Sequence, residues 1–218
     1  MIFSEDIMND NIENGLDGSE ETELEKKDKF RADVYDWTEV FVSALAIVVV
    51  MLSFILRVAT VRGGSMEKTL SDGQLLIISN MFYTPTQGDI VVVQQNGGYF
   101  ETPLVKRVIA TGGQTLSINF EKWEVRVDGK LLDESGYVYF RNSAMDKEDY
   151  YSIYETYLDG DVMTVPEGYI FVMGDNRNES SDSRSTYVGL VRENEVLGKV
   201  VFRLFPLNKI GAVKSAVN

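Results

Sequence analysis

From Val40 to Leu56 the chain reads VFVSALAIVVVMLSFIL, seventeen residues without a charge. A helix of that length, rising about 1.5 Å per residue, covers roughly 26 Å, close to the roughly 30 Å of a bilayer's hydrocarbon core. Trp37 and Thr38 lengthen its near side, and Val58 to Val61 its far side while Arg57 snorkels. Tyr35 and Trp37 stand where interfacial aromatics gather. A buried soluble helix and a cleaved secretory signal are the alternatives. The run lacks the polar face of the first, and no small-x-small site followed by a natural mature start supports the second. The sequence therefore predicts one transmembrane anchor over residues 37–60, with everything else built on either side of it.

The two sides differ in charge. Residues 1–39 hold 13 acidic and 4 basic side chains, and residues 40–218 hold 21 and 17, so most of the net charge of −13 lies ahead of the anchor. Residues 1–36 also have few clustered apolar side chains, which predicts an acidic, disordered leader. Lys26, Lys27, Lys29 and Arg31 precede the span, whereas Arg57 and Arg62 follow it. Positive charge sets orientation and carboxylates count for little, so the leader is expected in the cytoplasm and residues 61–218 outside it. So acidic a chain is a poor binder of nucleic acid.

Beyond the anchor the pattern changes to short β-branched or aromatic runs. They are QLLIIS (74–79), DIVVVQ (89–94), LVKRVIA (104–110), WEVRV (123–127), YIFVM (169–173) and LGKVVFRL (197–204). Gly-containing pairs separate them, and Asp128-Gly129 ahead of Lys130 to Leu132 is a tight-hairpin signal. No helix recurs between strands, which argues against a doubly wound sheet and predicts a mostly β fold behind a single N-terminal helix. Residues 133–161, rich in Tyr and acidic side chains, read as an irregular insertion.

His and Cys are both absent. That excludes a Ser-His-Asp triad, a thiol nucleophile, disulfides and the usual zinc sites, and no cofactor or metal is expected. A hydrolase built from this chain must use a carboxylate or a neutral lysine as its base. Three stretches carry residues for that chemistry. In VRGGSMEKTL (61–70), Gly63 and Gly64 permit a tight turn presenting the Ser65 hydroxyl and adjacent N–H groups; a plain turn with a solvated serine is the simpler reading. In LVKRVIA, Lys106 and Arg107 interrupt an apolar strand. A buried lysine loses its charge preference and becomes a possible base, whereas one on the solvated face does not. MGDNRNESSDSRSTYVG (173–189) alternates carboxylates, hydroxyls and guanidiniums. Such a loop is either ordinary polar surface or a network pinning a lysine and a serine in reaction geometry. Serine–lysine catalysis is a known variant of the triad.

In this order, and just downstream of an anchor, the three stretches resemble the bacterial type I signal peptidases, in the short single-anchor form of Gram-positive bacteria. VRGGSMEKTL is similar to the family's Ser-Met nucleophile motif, LVKRVIATGG to its Lys-Arg base motif, and GDNRNESSDSR to its Gly-Asp-Asn-Arg…Ser-x-Asp-Ser-Arg box. LGKVVFRLFPLNKIG (197–211) resembles its closing strand and tail. The likeness covers about residues 40–211. It implies an antiparallel β-rich serine endopeptidase that cuts signal peptides from secreted preproteins after a small-x-small segment. The preproteins, the bilayer and the secretion translocon would be its partners, and the bacterial cell membrane its location.

Carried over, the resemblance implies Ser65 as nucleophile, Lys106 as general base, and Ser180 as the hydroxyl that orients the Lys106 amine. Asp182 and Arg184 would form a structural ion pair, and Asp175 would brace Arg107. Val61, Met66, Leu70, Leu104 and Val105 would bind substrate, and the Ser65 N–H would hold the oxyanion. Some relatives have a second, hydroxyl donor where this chain has Gly63. Lys68 replaces the usual proline, Glu179 an asparagine-like position, and residues 110–114 lack the usual proline and aspartate. Apolar side chains of the first strands, Ile77, Ile78, Met81 and Phe82, are expected at the membrane surface. Two other classes compete: a self-cleaving repressor-type Ser-Lys protease, which would carry a DNA-binding domain upstream, and a membrane-tethered binding or assembly module with an incidental serine.

Overall fold

The computed structural model describes residues 6–95, 97–140, 158–159 and 162–216. The chain divides into two units, residues 1–54 and 55–218.

The first unit is a single helix, α1 (Asp6–Ile55). Its stretch from Lys26 to Met51 is long and apolar enough, by length and composition, to cross a membrane, and none of it is buried within the protein. The helix also takes in the acidic residues ahead of the apolar run, for which composition pointed to disorder. No proline occurs before Pro85, so nothing in this segment forbids continuing the helical backbone. The helix ends sooner than the hydropathy suggested. Leu56–Thr60 forms strand β1, paired antiparallel with Leu75–Ser79 (β2), Leu56 opposite Ser79 and Thr60 opposite Leu75. Val58 to Val61 thus do not extend the span, because β-branched residues at the end of an apolar run serve a strand as readily as a helix.

The second unit is β-rich, and among the described residues every pairing between its strands is antiparallel. After β2 come β3 (Ile90–Val93), β4 (Leu104–Thr111), β5 (Thr115–Asn119), β6 (Glu124–Val127) and β7 (Lys130–Leu131). They are followed by β8 (Leu158–Asp159), β9 (Val162–Thr164), β10 (Tyr169–Met173), β11 (Val191–Arg192), β12 (Val196–Phe205) and β13 (Gly211–Ala212). The larger sheet runs β1-β2-β12-β3-β4-β10-β11 with β13 added to β12, and the smaller runs β7-β6-β5-β9-β8. The β6–β7 hairpin turns through Asp128 and Gly129, both at positive φ. That is the geometry the Asp-Gly pair announced. The short strands β5, β9, β11 and β13 carry no signal of comparable strength.

Among the described residues three apolar clusters hold the unit together. One packs the smaller sheet on Ile109, Phe171 and Met173, and another fills the opposite region around Val91, Val108 and Val172. The third, around Met66, Leu70, Leu76 and Ile90, backs the loop that carries Ser65. Of the expected insertion at 133–161, residues 141–157 and 160–161 lie outside the described residues. Its beginning is anchored, since Tyr139 bridges to Asn176.

Candidate active site

Ser65 lies in the loop joining β1 to β2, which is closed at its base by Val61 N–H donating to Gln74 O at 2.9 Å and Gly73 N–H to Val61 O at 3.0 Å. Gly63 adopts φ +80, a left-handed conformation that glycine enters without steric cost, and its N–H donates to the Asp72 carboxylate at 2.7 Å. Met66 and Leu70 hook the loop into the core beneath, being 1% and 0% exposed.

Lys106 is on β4, opposite Val91 of β3. On the other edge of β4, pairing with β10 stops at Arg107–Met173, and the chain turns away at Gly174. The Ser65 loop meets that turn. Asn176 N–H donates to Ser65 O, and Asn176 Nδ2 to Gly64 O, each at 3.0 Å. The approach is so close that a Cβ on Gly174 would lie 2.2 Å from Ser180 Oγ and 2.5 Å from Ser65 O.

The result is a lysine amine 2.8 Å from a serine hydroxyl, Lys106 Nζ to Ser65 Oγ, with Val105 O at 3.1 Å as the amine's other neighbour. Lys106 is 2% exposed. Burial pushes its pKa down to about 8; the Asp182 carboxylate opposes that shift, the Arg184 guanidinium adds to it, and Asp175 opposes it. A neutral amine is thus accessible near physiological pH, and it can accept a proton from the hydroxyl it faces.

Around the pair stand three buried guanidiniums, each matched to a carboxylate. Arg107 donates through Nε and Nη2 to Asp175 at 2.8 and 2.7 Å. Arg184 donates in the same two-pronged way to Asp182, both at 2.8 Å. Arg177 pairs with Glu134. Fork-shaped pairs of this kind are rigid as well as neutralising. Burial alone would raise the Asp182 carboxyl, but the Arg184 guanidinium and the Gly174 N–H outweigh it and hold the carboxyl below its usual range. Thr69 donates to Asp175, tying the far end of the Ser65 loop to the same network.

The structure therefore brings together Ser65, Lys106, Arg107, Asp175, Asp182 and Arg184, and it places the other expected residues elsewhere. Ser180 does not hydrogen-bond to Lys106. It is buried against Gly174, near enough to Asp182 to favour that carboxylate's charged form, yet its hydroxyl completes no hydrogen bond of normal geometry. The Lys106 amine is instead taken up by Ser65 and Val105.

The substrate-lining set also divides. Val61, Met66 and Leu70 are buried in the core, and Leu104 packs on the cluster containing Val91 and Val108. Of the five, Val105 borders a groove of about 400 Å³, together with Ala59, Ile78, Val92 and Leu197, with Arg57 and Arg62 at its margin. Alternation along β4 sends Leu104 and Val105 to opposite faces. Of the side chains expected at a membrane surface, Met81 and Phe82 are exposed, at 54% and 100%, whereas Ile78 is core.

Gly174, Asn176, Thr69 and Glu134 were not singled out from the sequence. The first two stand within the Gly-Asp-Asn-Arg stretch and could have been read as its backbone clamp. Glu134 lies 43 residues from its partner, with nothing local to mark it. Among the described residues no cluster of metal-ligating side chains occurs.

A family model described as signal peptidase, peptidase S26, matches residues 34–205. Signal peptidase I P of Bacillus subtilis subsp. natto is 31% identical over 196 residues, covering 88% of this chain and 100% of that protein. Signal peptidase I T of Bacillus subtilis (strain 168) is 31% identical over 199 residues, 88% of this chain and 97% of that one. Among solved structures, a signal peptidase I from Enterococcus faecalis V583 is 28% identical with a TM-score of 0.38, covering 54% of this chain and 97% of that chain.

Proposed function

The chain belongs to the signal peptidase family, peptidase S26, and from that premise we propose that it is a membrane-anchored serine endopeptidase with Ser65 as nucleophile and Lys106 as general base. Its substrates are the signal peptides of secreted preproteins, cut after a small-x-small segment. The observation that carries the reading is the 2.8 Å approach of a buried lysine amine to a serine hydroxyl.

With Lys106 neutral, its nitrogen accepts the Ser65 proton as Oγ attacks the carbonyl before the scissile bond. The Ser65 N–H has no acceptor among the described residues and is available to the developing oxyanion. Collapse expels the mature protein's new amino terminus, which takes the proton from Lys106. The acyl-enzyme is then hydrolysed by a water that gives its proton to the same amine. The arginine–carboxylate pairs hold the Ser65 loop and β4 in register without entering the reaction. An extended substrate fits the apolar groove beside Val105. Val61, Met66 and Leu70 already fill the space behind Ser65, which favours a small residue before the cleaved bond.

Residues 37–55 serve as the anchor in a bacterial cell membrane, with residues 1–36 cytoplasmic and the β domain outside, as the Lys and Arg flanks indicate. Tethering confines the site to the bilayer surface where preproteins emerge from the translocon, and so raises the effective substrate concentration. Met81 and Phe82, exposed just past the end of β2, are the apolar side chains that would rest on the lipid surface.

The test is cleavage of a membrane-bound preprotein by the purified full chain alongside Ser65→Ala and Lys106→Met. Loss of cleavage in both variants, with circular dichroism unchanged, is expected. Turnover retained by either one overturns the assignment.

A further inference from the structure

Residues 211–216 lie past the end of the family match at residue 205, yet they are fastened to the catalytic unit at several points. Gly211–Ala212 pairs with Phe202 and Arg203 of β12, and Val213 N–H donates to Val201 O at 3.2 Å. Ser215 Oγ then donates to Asp89 Oδ1 at 2.6 Å, and Ala216 N–H to Gly88 O at 3.1 Å. The contact is intimate: Gly88 has φ +89, and a Cβ there would lie 1.6 Å from Ala216 O.

Asp89 is a hub rather than an incidental acceptor. It is 2% exposed and also receives Lys199 Nζ at 2.6 Å and the hydroxyls of Tyr83 and Thr86 at 2.8 Å. Burial would raise its carboxyl, but hydrogen bonds from Lys199, Ser215, Tyr83 and Thr86 keep it below the usual range. The turn it belongs to is bonded to β4 directly, Gly88 N–H to Val108 O and Val108 N–H to Asp89 O, each at 2.8 Å.

Gly88 O accepts a second hydrogen bond, from Arg107 Nη1 at 2.8 Å. Arg107 spends its other nitrogens on Asp175, and the next residue, Asn176, holds Gly64 and Ser65. A continuous set of hydrogen bonds and one peptide link therefore joins Ala216 to the Ser65 loop. Arg107 is also the immediate neighbour of Lys106 on β4. The same segment closes a cavity of about 120 Å³ bordered by Val108, Ile109 and Tyr137.

We propose that residues 211–216 are a positioning strap: Ser215 and Ala216 press the turn at Gly88 and Asp89 onto Arg107 and so keep Lys106 and Ser65 in reaction register. The proposal rests on the Ser65–Lys106 reading. Neither Ser215 nor Ala216 touches substrate. They act through Arg107 and Asp175, and loosening them lets the Ser65 loop and β4 drift apart and admits water towards the buried amine. The charged groups acting on that amine are Asp182, Arg184 and Asp175.

The experiment uses the full chain in detergent micelles with a preprotein substrate, comparing Ser215→Ala, Ser215→Thr and Ala216→Pro. The last removes the N–H that Gly88 O accepts. Ser215→Ala and Ala216→Pro should lower kcat on the order of tenfold, as small misplacements of reacting groups do. KM should change less than kcat, and the acid limb of the pH–rate profile should move to higher pH. Ser215→Thr, which keeps a hydroxyl, should restore most of the rate. Wild-type kcat and pH profile in both Ser215→Ala and Ala216→Pro overturns the strap. So does a loss of activity that only tracks a lower melting temperature with the pH profile unmoved. Ser65→Ala and Lys106→Met assayed in parallel separate the two readings: turnover in either one overturns the catalytic pair, and with it the premise of the strap.

Discussion

Lys106 Nζ faces Ser65 Oγ at 2.8 Å from a position only 2% exposed to solvent. The two residues are 41 apart in sequence and arrive from different elements, a loop and a strand inside the larger sheet. Their meeting depends on β10 ceasing to pair with β4 at Arg107, one residue beyond Lys106, so that the turn at Gly174 and the Ser65 loop fit alongside.

Because burial brings the Lys106 amine to about 8, activity should depend on pH in a definite direction. The protonated amine cannot accept the Ser65 proton. Preprotein cleavage measured as kcat/KM should therefore rise about tenfold per pH unit on the acid side and level off above a midpoint near 8. A midpoint at the free lysine value of 10.5 would refute the buried-base description.

The same shift has a consequence for stability, which also rises with pH. A lysine whose folded pKa lies below its unfolded value binds more protons when unfolded, so between about 8 and 10.5 stability rises with pH. Below that window the buried charge destabilises the fold. Lys106→Met, of similar length and apolar, should melt several degrees higher than wild type at neutral pH, and the gap should shrink as pH rises through the window. Thermal melts at several pH values provide the check.

Gly174→Ala should disable the enzyme without touching a reacting atom. The added methyl meets Ser180 Oγ at 2.2 Å and the Ser65 carbonyl at 2.5 Å, so the Ser65 loop must move. A displacement of that size costs on the order of a hundredfold in rate. Single-turnover cleavage of a preprotein, with circular dichroism as a control, would expose it; near-normal turnover would mean the loop is free to shift.

Asp182→Asn leaves the Arg184 guanidinium, 0% exposed, without its carboxylate. Breaking a buried ion pair costs about 3–5 kcal/mol, because the remaining charge stays desolvated. Asp182 has a depressed folded pKa, so its contribution is present above the unfolded carboxylate value and lost as pH falls through the folded one. Urea unfolding should therefore show a large deficit for the variant near neutral pH that narrows in acid.

Much of the fold was legible in local pattern, and the exceptions have physical reasons. YIFVM became β10 at the expected residues, and the Asp-Gly pair formed its hairpin. A β-branched tail on an apolar run carries no boundary signal, so Leu56–Thr60 reads as helix in sequence and only pairing with β2 makes it a strand. Thr115–Asn119 carries only Leu116 and Ile118 as apolar residues, so its strand is fixed by pairing with β6 and β9 rather than by its own composition. In the site, Ser65, Lys106 and the acidic and arginine residues of the 174–184 stretch stood out by their chemistry. Yet Val61, Met66 and Leu70 look the same in sequence whether they line a cleft or a core, and their packing into one buried cluster is visible only in the fold.

The sequence by itself determined that any hydrolytic chemistry here must run without imidazole or thiol, that one apolar helix precedes a β domain, and that a serine, a lysine and an acidic–basic loop are the available parts. Those are matters of residue type and local periodicity, which need no knowledge of distant contacts. Only the tertiary structure decided which hydroxyl the amine faces, that Ser180 packs on Gly174 instead of bonding to Lys106, and that residues 211–216 reach back to Gly88 and Asp89. Desolvation and hydrogen-bond geometry depend on what the folded chain brings within a few ångströms, and no local pattern encodes that.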